Sequence, residues 1–337
     1  MIQRVKTISK FLLFFALGMF LLWLTTRTFG EREIQELKNL IKKADITVVA
    51  VSTFILLFSH YIRALRWKMM IQPLGINPKS SNVFFAVLAG YFFNLLFLRL
   101  GEVMKCTFLS KYEKVPVDKL IGTMVAERLV DLICLIMVIL ATILTQVERV
   151  GNYAGELGNS LREKLNLTPT SWGIGILLLL LVIYAFVQLF KASKNHSGLF
   201  KLKELIKGVI EGLLTIRKVN HFPLYIFYTI SIWACYLASI RIGFYGMEAL
   251  QLLGWVPSLS ILTFGSFAMI ATQGGIGAYQ LAVQKTLVLY GINEVTGLAF
   301  GWLLWLVQTL ILFIVGPISV LLLFILNKKL KQAHLKD

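Results

Sequence analysis

Apolar residues run along this chain in long blocks, with polar clusters between them. Six blocks reach or approach the ~20 residues needed to cross a hydrocarbon core: 8–26, 46–64, 120–144, 172–190, 223–245 and 295–326. Two further apolar stretches are interrupted. Val83 to Leu98 runs straight into Arg99, Gly101 and Glu102, and Val256 to Tyr290 is broken by Gln273-Gly274-Gly275 and Gly277. Irregular backbone at membrane depth survives only where protein or a water-filled cavity satisfies it. Each broken stretch is therefore expected to be two half-helices that enter and leave on the same side. The fold expected is an all-α integral membrane protein with about six transmembrane helices plus two re-entrant broken-helix pairs.

The polar clusters set a topology. Cations mark cytoplasmic loops, and they gather in 1–10 (Arg4, Lys6, Lys10), 63–79, 111–119, 191–222 and the tail from Lys328. The segments 27–45 and 145–171 balance acids against bases, and 246–255 carries Glu248 and no cation, which suits the outside. With both broken stretches re-entrant, every loop satisfies the rule, and both termini are cytoplasmic. The first block lacks a small-residue cleavage site and reads as an uncleaved signal-anchor. Ile34, Leu37, Leu40 and Ile41 predict a helix lying on the membrane surface. The tryptophans Trp67, Trp172 and Trp255 fall at predicted span ends, as an interfacial belt would place them.

Order along the chain suggests a duplication. Ile62-Arg63, Leu74-Gly75, Pro78, a broken stretch and span 120–144 match Ile240-Arg241, Leu253-Gly254, Pro257, a broken stretch and span 295–326. The copies start on opposite sides and would be inverted repeats, an architecture that puts a substrate site at their interface. The organisation expected is a signal-anchor and interfacial helix (1–45), repeat 1 (46–144), an external loop, one span and a basic loop (145–222), repeat 2 (223–326) and a basic tail (327–337).

Composition agrees with a lipid solvent. Of 337 residues 57% are hydrophobic and only 15% charged, with a mean hydropathy of +0.76; soluble domains are about 25% charged. The net charge of +17 comes from 34 Lys and Arg against 17 Asp and Glu. Its placement between apolar blocks points to anionic lipid head groups, not to nucleic acid. Three scattered cysteines and four scattered histidines suggest no disulfide framework, metal or other cofactor.

Charges inside membrane segments are costly and mark function by default. Here they are Arg99, Glu102 and Lys105 at the first break, then Glu127, Arg128 and Asp131 in the third span. Glu127 and Asp131 share a helix face, and Arg128 is spaced to pair with Asp131. Two acids and one base need a further cation, which Arg99 or Lys105 would supply. The cluster is read either as a polar cavity for a head group or ion, or as an ion-pair network pinning the break to the span. Gly101, Gly274, Gly275 and Gly277 permit positive φ and are read either as exposed amides for an anion or as close helix packing.

Arg63-Ala64-Leu65-Arg66-Trp67, Asn94, Arg99-Leu100-Gly101-Glu102, Lys105, Glu127-Arg128, Asp131 and Gly274-Gly275-Ile276-Gly277 resemble the lysylphosphatidylglycerol synthase transmembrane region. This is the flippase-like domain of the multiple peptide resistance factor, also found as stand-alone membrane proteins. The resemblance covers about 46–326 and implies a lipid-translocating domain of a bacterial or archaeal inner membrane, with a path along Arg63, Arg66, Asn94, Arg99, Glu102, Lys105, Glu127, Arg128 and Asp131. The chain ends at Asp337, so no aminoacyl transfer is expected of it. It departs from the family pattern at Gln273, at Gln280 and in the uncharged Trp302–Trp305 stretch, and its second repeat is poor in charge.

The function expected is a lipid flippase-like transporter rather than an enzyme, with membrane lipids as partners and a possible homo-oligomer. The alternatives are an accessory membrane subunit whose charges only hold its fold, and an intramembrane enzyme with Glu102 or Glu127 as general base.

Overall fold

The computed structural model describes residues 16–27, 29–97, 100–146 and 219–333, with Gln273 and 329–333 described by backbone alone. The block 172–190, the loops before and after it, Arg99 and Trp172 lie outside these residues. The described part is helical, without strands among the described residues.

Helix α1 (Ala16–Thr26) belongs to the first apolar block. Helix α2 (Glu31–Lys43) opens on Glu31 and Glu33 and closes on Lys42 and Lys43, the order a helix dipole favours. None of its residues is buried, and Leu37, Leu40 and Ile41 pack against the second half of the molecule from its outside. Helix α3 (Ile46–Ile71) is capped by Asp45, whose carboxylate accepts from the Thr47 and Val48 amides. It outruns its apolar block by two turns, carrying Arg63 and Arg66 inside the helix.

The first broken stretch is a helical hairpin, α4 (Ser80–Leu96) and α5 (Leu100–Glu113). Its base is tied where Lys79 N and Asn82 Nδ2 donate to Glu113 Oε1 at 3.0 and 2.6 Å. At its tip Phe97 turns extended, and the Gly101 amide donates to Asn94 Oδ1 at 2.8 Å. Gly90 and Gly101 bring the two backbones together; a methyl group on Gly101 would overlap the Gly90 carbonyl. Helix α6 (Val117–Leu144) follows, long enough to span at about 42 Å.

The second half repeats this order. Helix α7 (Phe222–Gly243) precedes a hairpin of α8 (Trp255–Ala271) and α9 (Ala278–Val288), and α10 (Glu294–Ala333) closes the chain. Ser260 Oγ and Tyr290 OH lie 2.8 Å apart at this hairpin's base. The break needs glycine, with φ of 59° at Gly274, 76° at Gly275 and 75° at Gly277. Gly277 also packs tightly on Gly18 of α1.

Contacts along α10 fix how the hairpins face each other. Lys285 pairs with Glu294, Gln284 meets Gly297, Gln280 meets Gly301, and the Trp305 indole donates to Gly274 O at 2.8 Å. Further on, Phe92 packs on Phe313 and Gly316, and Asn82 exchanges hydrogen bonds with Asn327. The hairpins thus enter from opposite ends of α10 and point their tips at its middle, where Leu95 lies next to Gly274. Antiparallel to α3 runs α7, with Ser52 on Ser239, Arg66 on Thr229 and Tyr225 on Met70.

Each half reaches over to the other's hairpin base. Gln146, just past α6, donates to Ser260 Oγ at 2.7 Å and accepts from Tyr290 OH at 2.6 Å. Asn327 does the same for the first hairpin through Asn82.

Large apolar side chains face outward on α6 (Leu132, Ile136, Met137, Leu140), α7 and α10. Such continuous exposure fits hydrocarbon, not water. Three segments, Ile46–Leu74, Phe222–Gly246 and Glu294–Lys328, are long and apolar enough to cross a membrane. Trp67 corrects the interfacial expectation: it is fully buried and donates to Thr123 Oγ1 at 3.0 Å. Trp255 is exposed at the start of α8, as a belt residue would be.

Candidate functional site

Charged side chains from three helices, α3, α5 and α6, converge in the first half. Arg63 and Arg66, one turn apart on α3, project to the face that meets α6, where Glu127 and Asp131 are likewise one turn apart. Arg63 Nη1 sits 2.8 Å from Glu127 Oε1 and 2.6 Å from Asp131 Oδ2, while Arg66 Nη2 sits 2.7 Å from Asp131 Oδ1. Lys105, from α5, places Nζ 2.6 Å from the other Glu127 oxygen and 4.4 Å over the Trp67 ring. Arg63 also donates to Tyr236 OH at 3.0 Å, which ties the cluster to α7. Arg63 lies eight residues before the end of α3, and Glu127 ten residues into α6. Those offsets put the cluster about 12–15 Å in from the helix ends.

The remaining pair differs. Arg128 touches Glu102 at 3.4 Å, and Glu127 and Asp131 only at 3.8 Å, with its side chain 40% exposed. The Arg128–Asp131 pair expected from spacing is thus a loose contact, because Asp131 is taken by Arg63 and Arg66. Lys105 fills the place foreseen for it, and Arg99 lies outside the described residues. In total, four cations face three carboxylates among the described residues, leaving one positive charge in excess.

Arg128 and Glu102 open onto a cavity of about 720 Å³ between the two halves. That is within the usual range for a small-molecule site, ~300–1,000 Å³. Asn94, Arg63 and Asp131 line its charged end, and Gly274 at the second break also borders it. Its remaining wall is mainly apolar, including Leu56, Leu262, Met269 and Leu303. A space charged at one end and apolar along its length matches an amphipathic guest. Gly101, Gly275 and Gly277 do not border this cavity; they stand at tight contacts with Asn94, Met269 and Gly18.

Glu127 is fully buried, with both oxygens held by cations, and has no approach for a substrate. It is poorly placed as a general base, which must reach the proton it takes. Sequence reasoning passed over Tyr236, His60, Tyr91 and Trp233, all of which line the cavity. A signal existed: Ser52, Thr53, His60 and Arg63 form a polar stripe at helical spacing on α3.

Comparison with known proteins supplies the lineage. Residues 11–316 match the family model of the lysylphosphatidylglycerol synthase transmembrane region. A UPF0104 membrane protein of Methanocaldococcus jannaschii is 36% identical over 73 residues, a stretch that covers 21% of this chain and 22% of that protein. No solved structure matches. With the family model extending over nearly the whole helical frame that carries the charged cavity, the chain belongs to the lysylphosphatidylglycerol synthase transmembrane-region family.

Proposed function

We propose that this protein carries an anionic lipid between leaflets, with the head group held at Arg128 and the acyl chains along the apolar wall. One observation supports this reading above the rest. Arg63, Arg66 and Lys105 are each engaged by carboxylates at 2.6–2.8 Å, whereas Arg128 faces the cavity with no carboxylate closer than 3.4 Å. A guanidinium with loose partners that opens onto a cavity is suited to a phosphate, which it meets through two parallel N–H donors.

The opposed hairpins fit this role as re-entrant elements of two inverted repeats, whose rocking would expose the cavity to each side in turn. Lys68, Lys79, Lys111 and Lys328 belong to the end of the molecule where Asn82 meets Asn327. By the positive-inside rule that end is cytoplasmic in a bacterial or archaeal inner membrane.

The test is leaflet asymmetry of fluorescent lipids in proteoliposomes. Movement of anionic lipids that Arg128→Ala abolishes is the expected result. Unchanged movement in that variant, or none of any lipid by folded protein, sinks the proposal.

An accessory, non-transporting role is favoured by one feature, the lack of a matching ion cluster among the described residues of the second half. Arg241, the counterpart of Arg63, instead donates to Tyr245 at 2.8 Å. Immobile lipids together with co-purification of one stoichiometric membrane partner would support that role.

A further inference from the structure

The three carboxylates of the charged cluster are not equivalent. Glu127 is enclosed between Arg63 and Lys105, at 2.8 and 2.6 Å. Asp131 borders the cavity, but Arg63 and Arg66 hold its two oxygens at 2.6 and 2.7 Å. Glu102 also borders the cavity, with its side chain 26% exposed. Its ion-pair partner among the described residues is Arg128, at 3.4 Å. Of the three, Glu102 alone can let go of its cation without breaking a short ion pair.

The hairpin tip sets its position. Glu102 stands in the first turn of α5, next to the Gly101 amide that donates to Asn94. One turn further on, Lys105 fixes α5 to Glu127. Helix α5 thus makes a tight link and a loose link to α6, and the loose one opens onto the cavity.

A phosphate on Arg128 takes over the neutralisation that Glu102 provides. Once the guest has left, Arg128 needs a counter-charge again, because an unpaired cation within membrane segments is costly. Alternating access exposes one site to each side in turn, so a protein that moves lipid in one direction must also return with the site empty.

We propose that Glu102 stands in for the guest's phosphate: it neutralises Arg128 while the cavity is empty and yields when lipid arrives, which lets the empty protein change sides. This rests on the lipid-carrying reading of the cavity. Glu102 then acts on net movement, which includes the empty return, more than on exchange, in which the site is loaded in both directions.

The experiment compares net movement with exchange for the purified full chain in vesicles. Fluorescent phosphatidylglycerol is placed in the outer leaflet in both arms. In the net arm the vesicles otherwise hold phosphatidylcholine alone, and in the exchange arm both leaflets carry excess unlabelled phosphatidylglycerol. Glu102→Gln should lower the ratio of net rate to exchange rate at least about fivefold, the equivalent of the ~1 kcal/mol of a partly exposed ion pair. Glu102→Asp keeps the carboxylate and should restore the ratio. Glu102→Ala serves if Glu102→Gln does not fold.

A ratio that Glu102→Gln and Glu102→Ala leave intact, whether both rates fall together or neither falls, overturns the stand-in role. Rates that Arg128→Ala leaves unchanged in both arms, or no movement in either arm by folded unaltered protein, overturn the lipid-carrying reading and this role with it.

Discussion

Glu127 is the most constrained side chain of the site, fully buried with a cation on each carboxylate oxygen. Removing one partner of a buried ion pair typically costs ~3–5 kcal/mol, because the other charges stay desolvated. Glu127→Gln leaves Arg63 and Arg66 with Asp131 as their close carboxylate, and takes from Lys105 the carboxylate it pairs with among the described residues. It should lower stability in detergent by about that amount, seen as a clearly lower thermal midpoint. Arg128→Ala breaks only contacts of 3.4–3.8 Å around a half-exposed side chain. Its stability should change by less than ~1 kcal/mol, while transport is lost. The two variants divide the cluster into a part that holds the fold and a part that meets the guest. If Glu127→Gln melts like the unaltered protein, that division is wrong.

At the scale of elements, the hairpins depend on how closely their arms approach. A Cβ on Gly101 would lie 2.7 Å from Asn94 Cγ and overlap the Gly90 carbonyl. Gly101→Ala should therefore destabilise by ~1–3 kcal/mol or more, as overpacking does. Gly122, in the second turn of α6, has nothing within 4 Å of the same position among the described residues. Gly122→Ala should be neutral or stabilise by ~0.5–1 kcal/mol through helix propensity. Thermal unfolding of the pair tests this, and equal shifts would mean that the hairpin is not the limiting contact. The sequence marked a break in each apolar stretch, the second because a run of glycine at positive φ cannot continue a helix. It did not show that small residues brace each tip, since Gly90 and Gly18 are far in sequence from the breaks they meet.

For the whole molecule, two amide latches tie each half to the base of the other's hairpin. Gln146 ties α6 to the second hairpin's base, and Asn327 ties α10 to the first. They stand at opposite ends, so each should restrain access to the cavity from its own end. Ser52 borders the cavity and serves as a reporter when changed to cysteine in a background without Cys106, Cys134 and Cys235. Gln146→Ala should speed its labelling by an impermeant maleimide added on the side of Trp255, and Asn327→Ala should not. Equal rates in both variants would count against separate latches.

Periodicity and composition alone determined that the chain is helical, lies in lipid and breaks at two points, the second of them glycine-rich. Those properties follow from local rules: run length against bilayer thickness, and backbone angles that only glycine accepts. The E-R-x-x-D pattern likewise showed that Glu127 and Asp131 share a face. Which helix that face meets is not a local property. Packing alone decided that Arg63 and Arg66 neutralise it and leave Arg128 for the cavity. Packing also drew Trp67 from its expected place at the interface into the core, under Lys105. The opposition of the hairpin tips emerges only when helices distant in sequence enclose one space. A helical period fixes the direction of a side chain around its own axis, and it leaves open what stands opposite.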